Sequence, residues 1–130
     1  MDIEYRDGHE IDVDALLALR ARVDFSALPK ADVAAQVAGA RWVVSAYGAG
    51  RLIGFARALS DGVTNAYVSS VMVDPAYQRR GVGRQMLVRL MRGRDDIRWV
   101  LHARKNAMPF YRAIGFDDAP DIMWRDRRTP

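Results

Sequence analysis

DPAYQRRGVGRQML, residues 74–87, joins a strand-like stretch to a helix-like one and places three arginines and two glycines between them. We call residues 78–84 the hinge. Gly81 and Gly83 let the backbone turn tightly and approach a ligand without interference from a Cβ atom. The amides of such a turn and of the first helical turn can bind an anion, which the helix dipole also favours. Because Arg79, Arg80 and Arg84 add bidentate donors for phosphate oxygens, the hinge predicts a pyrophosphate site.

Other interpretations of the hinge are simpler or fail on particular residues. Glycine and arginine can form an ordinary solvated loop, since isolated glycine patterns are weak signals. A P-loop requires a lysine followed by serine or threonine, a pair that the chain lacks. A dinucleotide-binding fingerprint requires a third glycine at the position that Met86 occupies.

The segments on both sides of the hinge alternate between strand-like and helix-like patterns. Hydrophobic periodicity and capping signals predict strands at 2–6, 41–47, 51–59, 65–73, 99–102 and around 122–124, and helices at 12–25, 31–39, from the hinge to Gly93, and up to Gly115. This order predicts one α/β domain over residues 1–130, with a mixed sheet covered by helices. Asp12 is the predicted N-cap of the first helix, and residues 65–73, apolar on both faces apart from Ser69 and Ser70, fit a central strand.

Composition and charge narrow the class of protein. The 130 residues include no cysteine, which excludes disulfides and cysteine-ligated zinc, and His9 and His102 show no metal-ligand spacing. Residues 1–65 carry 7 basic and 9 acidic groups, whereas residues 66–130 carry 13 and 7. The positive charge therefore accompanies the hinge and favours an anionic partner. With no signal-like or membrane-length apolar run, we expect a cytoplasmic protein that binds neither metal nor membrane.

Two motifs resemble one known family. Residues 78–83, QRRGVG, match the signature Q/R-x-x-G-x-G/A of the GNAT superfamily of N-acetyltransferases. The segment YVSSVMVDPAYQ resembles that family's acetyl-coenzyme A strand, and NAMPFYRAIGF, residues 106–116, resembles its second motif. Within the superfamily, the chain is most similar to small serotonin N-acetyltransferase-like members of plastids and prokaryotes. The resemblance implies the GNAT fold, with a mixed, mostly antiparallel sheet flanked by helices, and acetyl-CoA as co-substrate.

The resemblance also assigns roles to individual positions. It implies that the backbone of Val71, Met72 and Val73 pairs with the pantetheine arm of the co-substrate. It implies that the pyrophosphate is held by the hinge, through Arg79, Arg80, Gly81, Val82, Gly83 and Arg84. Asn106 would reach the pantetheine or the acetyl group, although capping the following helix is an equally good interpretation.

Tyr111 is the catalytic candidate. It stands one turn before the G-F pair of the second motif, and a phenol with a pKa of about 10 can protonate a leaving thiolate. The resemblance implies that the amide of Val71 stabilises the oxyanion by donating a hydrogen bond to it. The general base stays open, because Ser70 stands where the serotonin-type relatives have aspartate. A water chain beside Ser69 and Ser70, the carboxylate of Asp61, or solvent could take the proton.

Several other residues have structural interpretations. Asp61 lies in SDGVTN and is expected to form a turn. His102 ends an apolar strand and is expected to be a core histidine, and Phe110 is expected to pack. Trp42, Trp99 and Trp124 are expected in the core, with Trp124 the best candidate for the wall of an aromatic amine pocket.

The predicted function is direct transfer of acetyl from acetyl-CoA to a primary amine in a ternary complex. No covalent enzyme intermediate is expected, because cysteine is absent. The predicted acceptor is a small amine, for example an arylalkylamine, or a peptide amine. The sequence does not decide whether the protein forms a homodimer. The alternative is a catalytically weak GNAT-fold sensor of acetyl-CoA that regulates a partner protein, for which Ser70 is the main support. A nucleic-acid partner is not expected, because the arginines crowd the hinge instead of forming a stripe with stacking aromatics.

Overall fold

The structure, a computed structural model, describes residues 2–128. Within them, strands and helices follow the predicted order as far as the last helix. The elements are β1 (Ile3–Asp7), α1 (Val13–Arg22), α2 (Lys30–Gly39), β2 (Trp42–Gly48), β3 (Arg51–Ser60), β4 (Asn65–Val73), α3 (Val82–Met91), β5 (Arg98–Leu101) and α4 (Met108–Ala113), with short 3₁₀ turns at Pro75–Tyr77 and Lys105–Ala107.

The strands form one sheet in the order β1-β2-β3-β4-β5. Neighbours from β1 to β4 are antiparallel, and β5 pairs parallel with β4. Neighbouring residues of β2, Val43 and Val44, belong to different hydrophobic clusters, as expected for the two faces of a sheet. Helices α1 and α2 pack on one face and α3 packs on the other, so the predicted mixed, mostly antiparallel α/β architecture is confirmed.

Local signals in the sequence set the ends of the helices. Asp12 caps α1 by accepting a hydrogen bond from the Asp14 amide at 2.9 Å, as predicted. The helix ends at Arg22 and not at Phe25, because Asp24 takes a left-handed φ of 60°. Helix α3 stops before Gly93, whose φ is 76°.

Strands β4 and β5 are paired over only part of β4. Their register runs from Asn65 opposite Arg98 to Val68 opposite Leu101, where β5 ends. β4 continues to Val73 with a described neighbour only on its β3 side. On that side the register shifts by one residue, with Ser70 at a φ of 58°. Such a bulge bends its strand, which favours the divergence from β5.

The predicted C-terminal strand is wrong. Residues 116–128 contain no strand, and Met123 and Trp124 are 90% and 71% exposed. Three consecutive apolar residues between Asp121 and Arg125 do not alternate, so a strand there could not bury one face. Strand β5 is also half-buried and ends before His102, although a short buried strand was expected. Among the helices of residues 2–128, none combines the length and the hydrophobicity that a membrane-spanning helix requires.

Candidate functional site

The divergence of β4 from β5 opens a cleft of about 910 Å³, bounded by β4, the hinge, the Lys105–Ala107 turn and α4. All but one of the residues predicted for the site line this cleft: Ser70, Val71, Met72, Val73, Arg79, Gly81, Val82, Gly83, Arg84, Asn106 and Tyr111. The exception is Arg80, whose guanidinium lies 5.4 Å from the centre of the Tyr77 ring. Residues separated by about 40 positions in the sequence thus meet at one site.

The hinge has the backbone conformation of an anion-binding turn. Arg79 and Gly81 both have left-handed φ values, 64° and 79°. Gly81 is the N-cap of α3 and supplies no side-chain acceptor for the first helical amides. Turns that contain residues with left-handed φ values can direct successive amides toward one concave surface. The local geometry therefore provides converging donors and the positive end of a helix dipole.

Gly83 has a different task from Gly81. A Cβ atom at Gly83 would lie 3.1 Å from Cζ of Phe110, whereas one at Gly81 would meet no protein atom within 4 Å. Phe110 therefore packs directly on the first turn of α3, as its expected packing role requires. Gly83 permits α4 to approach the hinge, and Gly81 leaves open space on the cleft side.

A salt bridge that no sequence motif indicates holds Asp74, four residues before the hinge. Asp74 is buried, and its carboxylate accepts from Arg22 Nε at 2.7 Å and from the Ala76 amide at 2.9 Å. Burial pushes the pKa of Asp74 up, but these hydrogen bonds and the charge of Arg22 outweigh it and hold the pKa below its ordinary value. Arg22 also donates to the Leu52 carbonyl at 2.8 Å. No local signal links Arg22 to Asp74, because they are 52 positions apart.

Tyr111 lies on the cleft wall formed by α4. Its ring makes edge contacts with Phe110 and Phe116, at centroid distances of 5.0 and 5.8 Å. Burial raises the pKa of the Tyr111 phenol, so it stays protonated over a wider pH range than a free tyrosine. Asn106 is exposed in the adjoining turn, and Ala107 is the N-cap of α4, with no side-chain cap. The capping interpretation of Asn106 is therefore wrong.

Ser70 is held by Arg57, a residue that no sequence motif indicates. Arg57 Nε donates to Ser70 Oγ at 3.2 Å, and Arg57 Nη2 donates to Ser69 Oγ at 3.4 Å. Each hydroxyl therefore accepts a hydrogen bond from a cation. Arg57 lies on β3 opposite Ser69, and its strand-like sequence context gives no sign of this contact.

The other base candidates fall in different places. Asp61 accepts from the Val63 amide at 2.9 Å in the expected turn and does not line the cleft. His102 was expected in the core, but that expectation is wrong, because it lies one residue beyond β5, exposed on the cleft wall. Its ring packs against that of Trp124, with the ring centroids 4.7 Å apart and the planes tilted by 33°.

The three tryptophans divide between core and surface. Trp42 and Trp99 pack together at 5.5 Å beside the α3-side core, as expected. Trp124 lies outside the core and lines a second open pocket, of about 790 Å³, next to the cleft. The default expectation of core packing is wrong for Trp124, and its location fits the alternative of a pocket wall.

Comparison with known proteins matches residues 38–118 to the acetyltransferase (GNAT) domain family. A histone acetyltransferase TAP1 from Glycine max is 33% identical over 92% of this chain and 58% of its own length. Serotonin N-acetyltransferase 2, chloroplastic, from Oryza sativa subsp. japonica is 42% identical over 58% of this chain and 39% of its own. This chain thus spans less than two thirds of the length of each of these relatives.

Solved structures share the fold at low sequence identity. A probable acetyltransferase, SA2161, from meticillin-resistant Staphylococcus aureus superposes with a TM-score of 0.83 at 22% identity, over 97% of this chain and 100% of that one. The aminoglycoside N-acetyltransferase AAC(6')-Iy in complex with CoA superposes with a TM-score of 0.76 at 17% identity, over 98% and 96%. Since the family model covers more than half of the chain and both structures share its fold, the chain belongs to the GNAT family of acetyltransferase domains.

Proposed function

We propose that this protein transfers the acetyl group of acetyl-CoA to a small primary amine, within a complex that holds both substrates. One observation carries the proposal: the hinge, the unpaired part of β4 and Tyr111 line one cleft. The GNAT family assignment supports acetyl-CoA as the donor. The arrangement fits a carrier with a diphosphate at one end, an amide-containing arm in the middle and a thioester at the other.

The residues of the cleft suit successive parts of that carrier. Amides of the hinge, with Arg79 and Arg84, would bind the diphosphate. Backbone groups of Val71 and Val73, which β5 leaves unpaired, would hydrogen-bond the pantetheine amides as an added strand does. Asn106 also lines the cleft and is the side chain that we assign to the arm.

The reaction then needs few groups from the protein. The amine nitrogen attacks the thioester carbonyl and forms the new C–N bond, and the resulting oxyanion accepts a hydrogen bond from the Val71 amide. When this tetrahedral intermediate collapses, the C–S bond breaks, and the leaving thiolate takes the proton of the Tyr111 phenol. Water then reprotonates Tyr111. Positioned acids of this kind contribute about 10²–10⁴-fold in rate.

The proton of the incoming ammonium requires another acceptor. No carboxylate lines the cleft within the described residues, and the Ser70 hydroxyl accepts from Arg57. The proton therefore passes to water or to His102, the imidazole that lines the cleft among the described residues. A His102→Ala variant separates these routes, because only transfer to His102 predicts a large fall in kcat with little change in KM for acetyl-CoA.

An acceptor screen tests the proposal directly. Release of free thiol from acetyl-CoA is measured with aromatic amines, polyamines, aminoglycosides, amino acids and peptides, with arylalkylamines in the first set. Turnover with at least one amine supports the assignment. Tight binding of acetyl-CoA without turnover of any amine would favour the sensor alternative, which otherwise rests only on the serine at position 70.

A further inference from the structure

Two buried arginines lie behind the part of β4 that the cleft exposes. Arg20 and Arg57 are only 6% and 8% accessible. In the described part of the chain, neither guanidinium is within 4.0 Å of a carboxylate, although five other basic side chains are. Buried arginine is ordinarily paired, so the missing counterion needs an explanation.

Both guanidinium groups retain unused donors. Arg57 spends two N–H groups on Ser69 and Ser70, at the long distances given above, out of the five that the group carries. Arg20 donates from Nη2 to the Ser26 carbonyl at 2.7 Å and lies over the Phe25 ring at 5.4 Å. Its Nε is buried without a partner.

The two cations are also close enough to repel each other. Burial lowers the pKa of the Arg57 guanidinium, and the charge of Arg20 lowers it further. Arginine nevertheless stays protonated in proteins, because its pKa lies far above neutrality. Two buried like charges with spare donors form a site that an anion would stabilise.

Neither arginine lines the cleft itself, but the two serines that contact Arg57 do, so an anion would approach Arg57 beside their hydroxyl groups. Ser69 and Ser70, which contact Arg57, line the cleft, and so do Val23 and Phe25 of the segment that follows α1. Ser70 precedes the hinge end of β4, at Val73, by three residues, or roughly 10 Å of strand. The anion site is therefore separate from the diphosphate site and adjoins Val71, whose amide is assigned to the oxyanion.

The geometry points to an acceptor that carries a carboxylate near its amine, bound by Arg57 with Arg20 behind it. This inference rests on the proposed function and names the substrate class of the same site: amino acids and similar small amino carboxylates. The carboxylate would neutralise the buried pair and use the fork of donors that Arg57 has left. Polyamines and other purely cationic amines would be repelled by the same charges.

Matched acceptors test the inference. Tryptophan is compared with tryptamine and tryptophanamide, and tyrosine with tyramine, by thiol release from acetyl-CoA. A charge-assisted hydrogen bond predicts that kcat/KM for the carboxylate-bearing member is higher by roughly 10- to 100-fold. Arg57→Gln should remove this preference, and Arg57→Lys should retain only part of it. Arg92→Gln, which removes an exposed arginine, should keep it.

A binding measurement keeps the inference independent of turnover. Calorimetry in the presence of CoA compares N-acetyltryptophan with N-acetyltryptamine, which differ only in the carboxylate. Tighter binding of the acid without turnover of any amine would support the anion site and overturn the proposed acetyl transfer. Equal binding and equal turnover of both members of each pair would overturn the inference, and this comparison needs no variant to fold.

Discussion

Replacing Gly81 by alanine separates what the hinge does for the fold from what it does for a ligand, because the chain offers a matched control in Gly93. The two glycines flank α3, have φ values of 79° and 76°, and have open space where a Cβ would be. An alanine held in this left-handed conformation costs about 1–2 kcal/mol. A less flexible unfolded chain offsets about 0.4–1 kcal/mol of that. Both variants should therefore lose about 1 kcal/mol of stability, which for 130 residues lowers Tm by about 4 °C.

Ligand binding should distinguish the two variants. Gly81 lines the cleft, so its new methyl group would occupy the space assigned to the diphosphate, whereas Gly93 lies away from the cleft. Losing one charge-assisted hydrogen bond costs about 1.5–3 kcal/mol, which weakens Kd by about 10- to 150-fold. Calorimetry with CoA should show this loss in Gly81→Ala and a Kd within about twofold of the parent in Gly93→Ala. Equal affinities in the two variants would refute the diphosphate assignment.

Three further changes test other parts of the site. Tyr111→Phe should lower kcat at least about 100-fold with little change in KM for acetyl-CoA. Because burial raises the pKa of Tyr111, the kcat of the parent should fall only above about pH 10. A stopped-flow pH profile of the variant should lack this fall. Asp74→Asn should destabilise the fold by about 1.5–3 kcal/mol in urea titrations, since it removes a charge-assisted hydrogen bond to the partly exposed Arg22. Because the pKa of Asp74 is lowered on folding, its contribution is present above the ordinary value of 3.8 and is lost as the pH falls through the folded pKa, so parent and variant stabilities should converge in acid. Ser70→Asp should pair with Arg57, raise Tm by a few degrees and abolish any preference for carboxylate acceptors, and an unchanged preference would contradict the assignment of Arg57.

The sequence predicted those parts of the molecule that local patterns determine. The hinge could be predicted because glycines, arginines and a change of hydrophobic period coincide within residues 74–87. Asp12 could be predicted as a cap and Asp61 as a turn former, because aspartate favours both positions. In the structure, each carboxylate accepts a hydrogen bond from the amide two residues further along the chain. Residues 65–73 read as a central strand because both of its faces are largely apolar.

The parts that failed depend on contacts between distant residues. The hydrogen bonds from Arg57 to Ser69 and Ser70 arise from strand register and a one-residue bulge, which hydrophobic periodicity does not encode. His102 and Trp124 follow apolar stretches and read as core, but β5 ends one residue before His102, and the tail forms no strand. Whether such residues are buried is decided by the element that covers them, and not by their neighbours in sequence.

The early end of β5 has a consequence for the protein without its substrates. From Ser69 to Val73, β4 presents main-chain donors and acceptors toward a gap inside the sheet, with no described strand against them. An open edge of this kind can recruit a strand from another molecule and begin aggregation. If a carrier molecule fills the gap, it takes the place of a sixth strand and can leave again. A low concentration of that carrier would then reduce the solubility of the protein as well as its turnover.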